Sequence, residues 1–119
     1  MMTPNRNRRL MTPSIWAILI AAAALEVGGD AIVRKGLRGG GLAVIAVGAA
    51  TLGAYGVMVN LVDWDFSRLL GVYVAVFAVV SILVGRLFFR ENIPVATWSG
   101  LALIVAGGLV IQLGQPSPK

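Results

Sequence analysis

The chain contains no cysteine and no histidine, and only five of its 119 residues are acidic. Without Cys or His it cannot form a disulfide, an imidazole or thiolate metal site, a haem ligand of either kind, or a His- or Cys-based catalytic centre. Charge of both signs is scarce, at 13% of residues, about half the share of a soluble domain. What fills the space is apolar: 58% of residues, with 15 glycines besides. A soluble domain of this length buries only about two-thirds of the surface its chain exposes, too little to hide so much apolar side chain. Ten Lys or Arg give a net charge of +5, which in a soluble protein would suggest nucleic acid. In a chain whose surface faces lipid the same cations belong at the bilayer rims, and nucleic acid is not an expected partner.

A bilayer-spanning helix requires about 20 largely apolar residues. Four runs qualify: Ser14 to Val33, Gly41 to Val62, Leu69 to Phe89 and Ile93 to Leu113. The connectors are short and carry charge or turn formers: Arg34 to Gly40, Asp63 to Arg68, and Arg90 to Asn92, with Pro94 suited to a first helical turn. Links this short force antiparallel neighbours. The sequence therefore predicts an all-α, multi-pass integral membrane protein, with a four-helix domain over 14–113 and no room for a soluble domain. Polar tails flank it at 1–13, expected to be disordered, and at 114–119. The first run is too long for a signal-peptide h-region and contains Glu26 and Asp30, so it reads as a retained helix.

Orientation in the membrane follows the Lys and Arg counts of the short loops. The N-terminal side holds Arg6, Arg8, Arg9, Arg68 and Lys119, and the other side Arg34, Lys35, Arg38, Arg86 and Arg90. Five against five leaves no bias, as in a chain that inserts both ways. Counted from Met11 the balance is two against five, and a single orientation follows. The dual-topology reading thus depends on the first ten residues.

Glu26 lies near the middle of the first span. A charge at that depth costs about 2.5 to 3.5 kcal/mol on insertion scales, which makes an ionisable residue there a functional candidate. The bland alternative is a neutral Glu26 hydrogen-bonded to a neighbouring helix for packing alone. Asp30 follows at i+4 on the same face, and Arg34 a further i+4 step on. Asp30 either pairs with Arg34 or extends a two-carboxylate track for cations or protons. Gly28 and Gly29 flank this region and would let a backbone or ligand come close. Ala49, Gly53 and Gly56 form a small-residue face on the second span, and Gly100, Gly107 and Gly114 recur every seven residues on the fourth, with Gly108 beside them. Such stripes favour close helix crossings in lipid, and the one on the fourth span is expected to lie between subunits. Tyr55, Asn60, Tyr73 and Ser81 could line a cavity or make routine interhelical hydrogen bonds. No phosphate-binding loop, metal cluster or nucleophile constellation is present, so neither an enzyme nor a cofactor is expected.

Two stretches resemble the small multidrug resistance family of the drug/metabolite transporter superfamily. One is Glu26 with Gly29 three later and Arg34 eight later. The other is Leu87-Phe88-Phe89-Arg90-Glu91 followed by the glycine-rich run from Gly100 to Gly108. The likeness covers nearly all of Trp16 to Leu113. It implies a small drug/metabolite-transporter-like bundle in a cell membrane such as the bacterial inner membrane. It also implies a homodimer, antiparallel if both orientations occur, in which two copies of Glu26 share one site and exchange protons for a small cationic substrate in efflux by alternating access. The third helix departs from that family: Leu70 and Tyr73 stand at its two aromatic positions, and Ala75 and Phe77 replace glycines. Arg68 and Trp98-Ser99-Gly100 look instead like a related, less characterised family of small four-helix membrane proteins. Alternatives are a non-transporting membrane interaction protein, or one subunit of a heterodimeric transporter, including a carrier of lipid-linked sugars.

Overall fold

The computed structural model describes residues 4–115, with side chains from Ser14 onward. The described residues form four α-helices: α1 (Pro4–Lys35), α2 (Leu42–Val59), α3 (Phe66–Leu87) and α4 (Val95–Leu113). Among the described residues no strand is present, and each helix is long and apolar enough to cross a membrane. Helix α1 begins ten residues before the apolar run, so 4–13 is helical where the sequence suggests a disordered tail. Residues 1–3 and 116–119, the outer parts of the two tails, lie outside the described residues.

The chain reverses after α1 through a wide turn at Gly36–Gly40, where Gly39 (φ 115°) and Gly41 (φ 93°) adopt left-handed backbone conformations. A side chain at either position would be strained. Helix α1 packs between α2 and α3, and α4 packs on α3 alone, so the helices run α2–α1–α3–α4 across the molecule.

Small residues make the two outer seams. A Cβ on Gly29 would stand 2.8 Å from the Leu52 side chain and 3.2 Å from the Gly48 carbonyl oxygen; one on Gly48 would meet the Gly29 carbonyl oxygen at 3.0 Å. In lipid, where burial of apolar side chains gives little drive, such close backbone approach is what holds helices together. The α3–α4 seam repeats the device in antiparallel register. A Cβ on Gly71 would run into Ile111, one on Gly108 would stand 2.7 Å from the Ala75 Cβ, and Arg68 donates from Nη2 to the Gln112 Oε1 at 3.1 Å. Gly108, grouped by sequence with the dimer contacts, is thus buried inside one subunit. Gly114 ends α4, its N–H donating to the Val110 carbonyl at 2.9 Å. Gly100 and Gly107 have nothing within 4 Å of where a Cβ would lie, and neither do Gly53 and Gly56.

Between the seams sits the core: Leu19, Ala22 and Ala23 of α1 with Val59, Val62, Leu69, Val72 and Tyr73. Near one end of α1 and α3, Trp16 meets Trp64 edge-on at 6.2 Å, and the Arg68 guanidinium lies 3.8 Å over the Trp64 ring.

Candidate functional site

The buried stripe of α1 places the central carboxyl group. Leu19, Ala22 and Ala23 are fully buried, and the next residue on that helical face is Glu26. The two alanines bring α1 close to α3, so Glu26 points into the protein and is half-buried. It lies twelve residues from Ser14 and fourteen from Gly40, the ends of the membrane-crossing part of the helix, and hence near the bilayer centre.

Tyr73, 3% exposed, donates its hydroxyl to the Glu26 Oε1 at 2.8 Å. The ring of Tyr55 stacks on Tyr73 with centroids 5.6 Å apart and planes 24° apart, which brings a second hydroxyl close to the same carboxyl group. Phe77, one turn along α3, continues the aromatic wall at 6.3 Å from Tyr73. Among the described residues no Lys or Arg forms an ion pair with Glu26. The site is therefore one ionisable group in an aromatic, low-dielectric setting, held by a hydroxyl that can donate to a carboxylate or to a protonated carboxyl group alike.

One turn further along α1, Asp30 opens onto a cavity of about 810 Å³. The cavity lies between the later halves of α1 and α3, under the loop that leads to α4, and is also lined by Arg34, Lys35, Arg38, Phe77 and Glu91. Asp30 and Arg34 share this lining but form no ion pair, so the simple pairing that their spacing allows is not made. Glu91 belongs to the short connector from Arg90 to Asn92. Here the loop turns at Arg90, whose φ is 55°, and the Glu91 N–H donates to the Gly85 carbonyl at 3.0 Å. Its carboxylate comes to rest against the Gly85 backbone, where a Cβ would collide with Oε1. A glycine inside a helix costs about 1 kcal/mol relative to alanine, and that cost is the sequence signal for this contact.

The structure brings Glu26, Tyr73 and Tyr55 together and sets Asp30 next to them. Two other candidate residues serve the scaffold. Asn60 caps α2, donating from Nδ2 to the Gly56 carbonyl at 2.8 Å, and Gly29 is buried in the α1–α2 seam. Ser81 lines the cavity and donates to the Ala78 carbonyl at 3.0 Å.

The chain is 34% identical over 106 residues to a UPF0060 membrane protein of Kineococcus radiotolerans, a match that covers 85% of this chain and 94% of the relative. No protein-family model and no solved structure matches. The comparison supports a family of small membrane proteins and does not reach the small multidrug resistance family itself.

Proposed function

Because this chain belongs to the UPF0060 family of membrane proteins, we propose that the four-helix, multi-pass membrane fold serves as a small transporter that exchanges protons for a small cationic substrate at Glu26. The observation that carries this reading is the Glu26 carboxyl group at mid-membrane depth, bonded to the Tyr73 hydroxyl at 2.8 Å and without a cationic partner among the described residues. A membrane-centred acid retained against its insertion cost is the usual mark of an ion or proton pathway. A proton and an organic cation both neutralise the carboxylate, and only one can do so at a time. Mutual exclusion at one group is enough to couple their movements in opposite directions.

The working unit in this reading is a homodimer. One subunit is a layer of four helices with α4 touching α3 alone; a second copy would supply the opposite wall around Glu26. The open glycines Gly100 and Gly107 suit such a contact, and a heterodimer would use the same face.

Glu26→Gln keeps the shape of the side chain and its ability to accept from Tyr73, but cannot bind a proton or balance a cation. In proteoliposomes carrying a pH-sensitive dye, a panel of monovalent organic cations is expected to drive proton flux through the unmodified protein and not through this variant. Flux at the unmodified rate would overturn the coupling role.

A further inference from the structure

We propose that the substrate is a small zwitterion, with an organic cation at one end and an anionic oxygen group (carboxylate or phosphate) at the other. The inference rests on the transport reading of Glu26 and specifies its ligand. Along α1 the residues Glu26, Asp30 and Arg34 follow at steps of four, about one turn of a helix and about 6 Å each, and Arg38 stands four residues further on in the Gly36–Gly40 turn. The two acids are deep and the two guanidinium groups are at the rim. Asp30, Arg34 and Arg38 line the same cavity, joined there by Lys35 and by Glu91. Phe77 belongs both to the cavity lining and to the aromatic wall beside Tyr73, so the cavity adjoins the Glu26 site.

Five charged side chains thus face one cavity of about 810 Å³, within the size range of small-molecule sites. No ion pair forms among them. Exposed at the cavity, they remain available to a ligand, with the acids of α1 deeper than Arg34, Lys35 and Arg38, and Glu91 in the loop at the same end as those three. A simple cation would meet three positive side chains at the loop end, and a simple anion would meet Asp30 deeper in, with Glu26 one turn beyond it. A zwitterion entering cation-first satisfies both ends: its ammonium lies toward Asp30 and Glu26, and its carboxylate or phosphate meets the guanidinium groups through charge-assisted hydrogen bonds.

The test compares probes of matched skeleton by binding to purified protein and by proton flux in proteoliposomes. Ethanolamine carries the cation alone, phosphoethanolamine and β-alanine carry both charges, and inorganic phosphate carries the anion alone. The expected result is binding of at least one zwitterion about tenfold tighter than ethanolamine, a difference of roughly 1.4 kcal/mol, with no competing phosphate site. The Arg34→Gln, Arg38→Gln double variant is expected to bring the zwitterion down to the ethanolamine level and leave ethanolamine binding unchanged or improved. Which zwitterion is preferred identifies the anionic group. Ethanolamine bound as tightly as either zwitterion, phosphate bound alone, no binding of any probe, or a zwitterion preference that survives the double variant would each overturn the proposal. A preference that persists in Glu26→Gln would leave the zwitterion site standing and count against the coupling role of Glu26, so the two readings fail separately.

Discussion

Tyr73 contributes its hydroxyl to Glu26 at 2.8 Å while its ring is clasped between Tyr55 and Phe77. Phenylalanine at this position would keep the stacking and remove only the donor. Hydrogen bonds between membrane helices are worth about 0.6 kcal/mol on average, so Tyr73→Phe is expected to cost roughly that much in an unfolding titration. Its effect on function should be larger, because the bond fixes where the carboxyl group points. Cation-driven proton flux is expected to fall several-fold, short of the complete loss expected for Glu26→Gln, and an unchanged flux would make the bond a packing contact only. At this scale the sequence was informative where depth in the membrane alone marks a residue, as it does for Glu26. It was uninformative where a loop decides. Glu91 reaches the cavity only because Arg90 takes a positive φ and Gly85 leaves room for a carboxylate, and its distance in sequence from Asp30 hides their common lining. Asn60 misled for a different reason: a polar residue near the end of an apolar run suggests a cavity, but here it satisfies a carbonyl of its own helix.

The seam between α3 and α4 depends on a single choice between neighbouring glycines. A repeat of small residues every seven positions announces that α4 packs closely against something. Consecutive residues of a helix point about 100° apart, however, and the pattern does not say which of Gly107 and Gly108 faces the same subunit. Gly108 does: its missing Cβ would stand 2.7 Å from that of Ala75, whereas Gly107 faces open space. Gly108→Val must separate the two helices, and overpacking of this kind costs about 1 to 3 kcal/mol. Gly107→Val is expected to leave subunit stability within about 0.5 kcal/mol, as for a surface substitution, and to lower the dimer fraction in crosslinking if two copies meet through α4. Unfolding titrations of both variants beside crosslinking separate the roles; equal loss of stability would mean that α4 is packed on both faces within one subunit. The helix boundaries were easier to read, since each follows the length of an apolar run. The exception is α1, whose helix continues back to Pro4 through polar residues that hydropathy cannot assign.

The layered order α2–α1–α3–α4 leaves Glu26 walled on one side by the rest of its own subunit, and an antiparallel partner could close the other. Such a partner exists only if the chain inserts both ways, and the balance of Lys and Arg decides that. Five on each side favours neither orientation. Arg6, Arg8 and Arg9 are the decisive three, because they are the part of that count on the N-terminal segment. Their backbone belongs to the first turns of α1, so Arg9 stands only about 8 Å along the helix from Ser14, close enough to the rim to act on insertion. A chain translated from Met1 is therefore expected to place a reporter fused at either terminus on both sides of the membrane in comparable amounts. Translation from Met11 removes those three arginines, changes the count to two against five, and should drive nearly all molecules into the orientation with both termini outside. Replacing Arg6, Arg8 and Arg9 by glutamine in the longer chain should do the same without altering its length. Reporter activity confined to one side in the unaltered longer chain would exclude the antiparallel homodimer and leave a parallel pair or a second kind of subunit as the closing wall.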